Sequence, residues 1–421
     1  MAIDRRSFLT ASGAVSVAAV LAACGSGDDD GGSAPSSTPG GAAPTTTGAA
    51  STTGGSSSGT PSGGSLAVMD ESTVATLEEI FAAQFATAGV AGLAGVVRIG
   101  DGVWTGSTGV VDLETGEPYR AEDFVRIASI TKSFTATSIL QLVDEGRLSL
   151  GDLLEDYVPG VINGDVATVA DLLGMRSGIP DFTANAAFGE RFTADPTMAW
   201  ANADTLAVIA EAPGPDFAPG EKVAYCDSNY ALLGMVMEIV TGKTAAETIT
   251  AAIIEPLGLT STSFPTGPGI PDPHPTPYVP DLTSGTDVFD NEERPPRVVG
   301  EVNPAVASTA GAMISTLADL QAWGTELVEG TLLSPETQAL RLKTRRFDGQ
   351  QVNLGYGLGI TNLNEFLGHD GAIFGFSSVV LTRPQTDTQI AFVANESTNS
   401  TTPTLTIAFN VIKTLYPDQV T

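Results

Sequence analysis

The sequence predicts an α+β fold, an antiparallel sheet flanked by helices with a mostly helical subdomain inserted. Three observations predict it. Two short β-prone runs, "GLAGVVRIGD" and "GVWTGSTGVVD", stand near residue 100 and are joined by a Gly-Asp-Gly turn. Further β-prone runs return after residue 350, as "LGYGLGITN", "EFLGHDG", "SSVVLTR" and "TQIAFVAN". Between them, over about 147–330, helical periodicities alternate with long Pro- and Gly-rich loops, including the stretch from Pro265 to Pro304. Strands at both ends of a helical middle bury their apolar faces most simply as one sheet with helices against it.

The chain of 421 residues opens on "MAIDRRSFLTASGAVSVAAVLAAC", with paired arginines at Arg5 and Arg6, an apolar run of small residues and Cys24 after "LAA". This pattern is that of an export signal over residues 1–23. It resembles a bacterial twin-arginine lipoprotein signal, which implies that Cys24 carries lipid and that the protein is exported and anchored on the outer face of the cell membrane. From Gly25 to about Ser65 the composition is almost wholly Gly, Ser, Thr, Ala and Pro, with nothing to bury, so residues 24–66 read as a lipidated cysteine followed by a flexible tether. The "GSSSG" at Gly55–Gly59 fits a nucleophile-elbow pattern in letters only, since that motif needs a strand before the serine and a helix after it. The globular domain then spans 67–421.

Composition removes several function classes. A net charge of −30 leaves no basic patch to neutralise phosphates, so no nucleic-acid partner and no charge-driven membrane contact are expected. Two histidines and two cysteines, without an HExxH pattern, are too few for a zinc site of ordinary composition, so neither a metal nor a cofactor is expected. With Cys24 lipidated, Cys226 is the sole remaining cysteine, and stability must come from the core.

Within the domain, Val74, Leu77, Ile80, Phe81 and Phe85 recur near a 3.6-residue period and predict a helix over 72–87. The hairpin follows. Ser129 then comes after the β-prone "FVRI" and opens a helix carrying Ile130, Phe134, Ile139, Leu140 and Val143, closed at Gly146. A last helix is expected near 402–415.

Lys132 is one of five lysines, and it lies three residues after Ser129. Positions i and i+3 share a helix face, so the hydroxyl and the amine come within reach of each other at a helix N-terminus, where backbone N–H groups favour developing negative charge. A neutral amine so placed can accept the serine proton as the oxygen attacks a carbonyl. Two further stretches extend the pattern: "VAYCDSNYALLG", with Tyr225 and Asp227, and "LGHDGAIFGFSS", with His369, Asp370 and Gly371 at the end of a strand.

In this order the three stretches resemble the S-x-x-K, Y-x-N and K-T-G-like elements of the serine penicillin-recognising enzymes. The resemblance is greatest to the group of class C β-lactamases, D-Ala-D-Ala carboxypeptidases and family VIII carboxylesterases, in which a H-x-G triplet is common. It covers about 67–421 and includes "FVRIASITKSFTATSILQLVDEGRLSL", "DLLGMRSGIPDF", "EPLGLTSTSF" and "STAGAMISTLADL". It implies the β-lactamase/transpeptidase-like fold and an acyl-enzyme on Ser129. Lys132 and Tyr225 would share the base and acid work, and which of them deprotonates the serine is left open. His369 would orient or protonate the tyrosine side of the network, and the backbone N–H groups of Ser129 and Ala372 would form the oxyanion hole. Gly371 would allow close approach of its strand to the substrate.

Two departures bear on substrate. Asp227 stands in place of the family asparagine and Asp370 where threonine is frequent, so both acids are expected to face the site and disfavour a substrate carboxylate. No arginine lies between Arg346 and His369 as an anion anchor, although Arg383 could fold back. The expected partner is thus a small-molecule ester, peptide or β-lactam, with esters favoured. A D-Ala-D-Ala carboxypeptidase or β-lactamase is the alternative enzyme, and a non-catalytic binding lipoprotein of the same fold the alternative from another class.

Overall fold

The computed structural model describes residues 69–265, 267–279, 297–350, 352–397 and 402–419. The export signal, Cys24 and the tether lie outside the described residues, as does part of the Pro265–Pro304 loop.

Strands β1 (Gly92–Ile99) and β2 (Gly102–Gly109) form the expected hairpin. Short pairs follow, β3 (Val125–Arg126) with β6 (Ile314–Ser315) and β4 (Tyr278–Val279) with β5 (Arg297–Val298). The C-terminal strands are β7 (Arg345–Arg346), β8 (Leu354–Tyr356), β9 (Thr361–Leu363), β10 (Phe366–Ile373), β11 (Phe376–Arg383) and β12 (Thr388–Ala394). They join the hairpin in one antiparallel sheet of order β2-β1-β12-β11-β10-β9-β8-β7. β1 closes on β12 through seven register pairs from Leu93↔Ala394 to Ile99↔Thr388, so the two ends of the domain meet in the sheet.

The helices in chain order are α1 (Glu71–Ala88), α2 (Thr131–Asp144), α3 (Val169–Leu173), α4 (Ala186–Ala194), α5 (Asn202–Ala210), α6 (Asp227–Thr241), α7 (Ala245–Ile249), α8 (Glu255–Leu257), α9 (Ser308–Gly311), α10 (Leu317–Glu329), α11 (Pro335–Arg341) and α12 (Pro403–Leu415). α1 begins where Asp70 accepts a hydrogen bond from the Thr73 backbone N–H, an N-cap that satisfies one of the free donors of the first turn. α1 and α12 cover one sheet face, with Leu77, Phe81, Leu405 and Ile412 packed on Phe392 and Val379. α2 and α10 lie on the other, where Phe134 and Trp323 stack at 3.9 Å between ring centroids. The inserted region expected over about 147–330 includes α10, which instead belongs to the sheet layer. Thr382 donates to the Gly324 carbonyl at 3.0 Å and Gln389 to that of Gln321 at 2.9 Å, and a Cβ on Gly324 would meet Val380 at 2.3 Å. Among the described residues, no helix is long and apolar enough to cross a membrane.

Candidate active site

The segment leading into α2 differs from a plain helix start. Ala128–Ile130 form a 3-10 turn, α2 begins at Thr131, and Ala128 has φ 50°, a region L-residues seldom adopt. Such strain persists where surroundings over-determine it. Here the Ile127 N–H donates to the Met313 carbonyl at 3.0 Å, the Met313 N–H to Thr131 Oγ1 at 3.1 Å, and Ser133 Oγ to the Ile130 carbonyl at 2.6 Å. Trp323 Nε1 in turn donates to Ser133 Oγ at 2.8 Å. Ser129 is thereby presented, half-buried, on a turn fixed from three sides.

Lys132 is fully buried and its Nζ has three acceptors: Ser129 Oγ at 3.0 Å, Asp227 Oδ1 at 2.5 Å and the Ala310 carbonyl at 2.8 Å. Three acceptors match the three donors of an ammonium. α9, which supplies Ala310, is held by Thr309 Oγ1 donating to the Tyr230 carbonyl and Thr135 Oγ1 donating to the Thr309 carbonyl, both at 2.8 Å. The Tyr225 ring lies 4.8 Å from Lys132 Nζ, the same amine that faces Ser129. Burial, then the Asp227 charge, pushes the Tyr225 phenol well above its ordinary value, so it carries its proton at neutral pH.

β10 brings the third element. β9 pairs with β10 only over Phe366–Gly368, so among the described residues His369–Ile373 has no strand partner on that side. Where the sequence predicts the strand to end at Gly371, it runs on to Ile373, with the turn at Phe374 and Gly375. Gly371 faces the Ser129 turn, as does Ser378 opposite it, whose Oγ donates to the Ile127 carbonyl at 3.0 Å.

His369 is buried. Its Nδ1 lies 2.6 Å from the Asp370 carbonyl, which can only accept, so Nδ1 holds the proton and Nε2 accepts from the Tyr356 hydroxyl at 3.0 Å. Burial, aided by the Lys132 charge, pushes the imidazole down to about 3, which keeps it neutral. The expected partner of His369 was Tyr225. The rings stand 6.3 Å apart and the hydrogen bond goes instead to Tyr356 on β8, whose hydroxyl lies 3.0 Å from Nε2.

The two acids also differ from expectation. Asp227 opens α6 beside the site, but its carboxylate pairs with Lys132 and so cannot act as a free charge toward substrate. Asp370 lies between His369 and Gly371 on a strand, where side chains alternate faces. It sits with Val379 on the α12 side and accepts from Thr402 Oγ1 at 3.3 Å, turned away from Ser129. Burial pushes this carboxyl up to about 6. Arg383 does not fold back into the site, since it pairs with Glu365 at 2.7 Å.

Sequence reasoning missed Asp181, Tyr356 and the Ala310 carbonyl. Asp181 Oδ2 accepts the Asp227 backbone N–H at 3.1 Å, and burial plus the Asp227 charge pushes it up to about 7. Its signal was the acid closing "SGIPD", and that of Tyr356 was the single hydroxyl in "LGYGLG".

Residues 77–408 match the Beta-lactamase family. A solved D-stereospecific amidohydrolase from Streptomyces sp. is 32% identical, with 80% of this chain and 97% of that one superposed at a TM-score of 0.70. The D-amino acid amidase of Ochrobactrum anthropi, at 22% identity and a TM-score of 0.70 over 83% of this chain and all of that one, shares the fold. Penicillin-binding protein 4 of Amycolatopsis lactamdurans is 32% identical over 36% of this chain, and the D-aminopeptidase of Brucella anthropi 29% over 41%. The chain spans 39% and 32% of those two relatives' lengths. With the fold, the family match and the length of the amidohydrolase alignment in agreement, this chain belongs to the Beta-lactamase family of serine hydrolases, alongside penicillin-binding-protein, D-aminopeptidase and amidase relatives.

Proposed function

We propose that the chain is an acyl-transfer hydrolase of small amides and esters, with Ser129 as nucleophile. The observation that carries this reading is the Ser129 hydroxyl 3.0 Å from the Lys132 amine, with the Tyr225 ring 4.8 Å from that same amine. Ser129 Oγ attacks the carbonyl, its proton passes to Lys132, and Tyr225, protonated in the resting site, gives a proton to the leaving group and regains one through Lys132. The backbone N–H groups of Ser129 and Ala372 take the oxyanion, a role supported by the close approach of Gly371 to the Ser129 turn. Water then hydrolyses the ester on Ser129. This assigns the base to Lys132, because a phenol pushed far up is a poor base and a good late donor.

The relatives named for D-amino acid amides and D-stereospecific hydrolysis favour amides of D-configured amino acids as natural substrates, with simple esters turned over as activated analogues. The esterase preference expected from the sequence thus becomes secondary. An assembled nucleophile and proton-transfer set counts against a purely binding role. We further infer that the N-terminal segment exports and lipid-anchors the enzyme through Cys24, which would place hydrolysis at the cell envelope. A fluorophosphonate probe tests the core of this reading: the modified peptide should contain Ser129, and Ser129→Ala should abolish labelling while leaving the far-UV spectrum unchanged. Equal labelling of that variant would overturn it.

A further inference from the structure

We propose that Asp227 is the proton acceptor of Lys132: it takes one proton from the ammonium, and the neutral amine so formed deprotonates Ser129. The inference rests on the reading of Ser129 as nucleophile and adds the step that reading lacks. As it stands, the resting site holds no base. Lys132 donates to three acceptors, and an ammonium has no lone pair to receive the serine proton. Tyr225 is a phenol, and the His369 lone pair is occupied by Tyr356.

A proton must therefore leave Lys132 before acylation. Of its three partners, the hydroxyl and the carbonyl are poor proton acceptors, whereas Asp227 Oδ1 is a carboxylate at 2.5 Å. The step balances: ammonium and carboxylate become amine and carboxylic acid, with no net change in charge. The amine takes the Ser129 proton as the Oγ–C bond forms, and the leaving group departs with a proton from Tyr225. Substrate that covers the site drives the first transfer, since excluding water raises the cost of keeping amine and carboxyl both charged relative to their neutral forms.

The groups facing Asp227 fit this role. Lys132 faces it from α2, Asp181 and Thr183 from the turn at Phe182–Ala184, and Tyr225 and Cys226 from its own segment, while His369 and Asp370 of β10 act on Lys132. Asp227 Oδ2 lies 3.5 Å from Thr183 Oγ1, which donates to Asp181 Oδ1 at 2.8 Å. The Asp227 side chain is 19% exposed, which gives the proton a way out. Asp181 is pushed up to about 7, so its ionisation near neutral pH adds a second negative charge beside Asp227 and strengthens Asp227 as acceptor. Acylation then rises with pH through that point.

The test follows the burst of 4-nitrophenol from 4-nitrophenyl butyrate with the full chain between pH 5 and 10. Asp227→Asn should acylate about ten- to a hundredfold more slowly at pH 7 and recover as pH rises and solvent takes over as acceptor. Asp181→Asn should lose the parent's inflection near pH 7. Acylation by Asp227→Asn at the parent rate or faster at pH 7 would overturn the proposal. If Asp227→Asn does not fold, as judged by near-UV circular dichroism, an unchanged profile in Asp181→Asn overturns it instead. A parent chain that forms no adduct on Ser129 defeats the nucleophile assignment and this step with it. A parent that forms the adduct while Asp227→Asn keeps its rate defeats only the acceptor role.

Discussion

Gly371 and Ser129 are in backbone contact: a Cβ on Gly371 would lie 2.8 Å from the Ser129 nitrogen, 2.5 Å from the Ile127 carbonyl oxygen and 2.8 Å from Ala128 Cβ. Nothing larger than a hydrogen fits there. The contact sets the gap between β10 and the nucleophile turn, and thus between the two N–H groups proposed for the oxyanion. Because two of these neighbours are backbone atoms and the third is the Cβ of strained Ala128, they cannot give way cheaply.

Gly371→Ala should therefore separate strand and turn, lower kcat by about a hundredfold, the scale of losing one oxyanion donor, and cost about 1–3 kcal/mol of stability. Steady-state kinetics with 4-nitrophenyl butyrate and a urea melt check it. Parent-like kcat would show that the strand does not hold the oxyanion.

Much of this site was legible because its motifs are short and locally determined. Ser129 and Lys132 are brought together by one turn of chain, α1 follows from its 3.6-residue period, and the β1–β2 hairpin and β10–β12 from β-prone runs bounded by turn residues. What was hidden depends on chain segments far apart. Asp181 meets Asp227 across 46 positions, and the Ala310 carbonyl reaches Lys132 across 178. The orientation of Asp370 was available and overlooked: strand alternation means that His369 and Asp370 cannot face one side of the sheet together.

Tyr356→Phe should remove the donor to His369 Nε2 and leave that acceptor buried without a partner. Such a loss costs about 1–3 kcal/mol. The urea midpoint should fall accordingly while the fluorophosphonate still labels Ser129, since Tyr356 does not touch the serine in this arrangement. Loss of labelling with unchanged stability would mean that Tyr356 acts in the chemistry itself.

Stability should fall as pH rises from about 5 to 8. Burial raises Asp370 to about 6 and Asp181 and Glu396 to about 7, so the folded state binds more protons than the unfolded state between roughly pH 4 and 7. With raised carboxyls the stabilisation is full below the unfolded value and is lost as pH climbs through the folded one. His369, pushed down to about 3, works in the other direction below about pH 6.5, but it is one group against three. The melting temperature should thus be higher at pH 5 than at pH 8, and Asp370→Asn should flatten the slope. A rising profile over that range would refute the assignment of these carboxyls as raised.

The last expectation concerns substrate charge. Asp227 is neutralised by Lys132, so the acid that discriminates is Asp370, on the strand that carries the proposed oxyanion donor Ala372. It faces the other side of the sheet, so its charge reaches a substrate on the Ser129 face across the strand rather than by contact. A substrate carboxylate on the far side of the strand meets repulsion of about 1 kcal/mol, the value for charges about 8 Å apart at an effective dielectric of about 40, and that is a factor of about five. 4-Nitrophenyl butyrate and 4-nitrophenyl hemisuccinate differ mainly by a carboxylate at the chain end. The ratio of their kcat/KM values cancels the pH dependence of the shared machinery and isolates the charge at Asp370. That ratio should favour the neutral ester and grow about fivefold as pH rises through about 6, where Asp370 ionises. Asp370→Asn should hold the ratio constant with pH by improving the hemisuccinate alone. A ratio independent of pH in the parent chain would mean that Asp370 does not sense the substrate, and that selectivity against anions, where it is found, comes from the overall negative field of the protein.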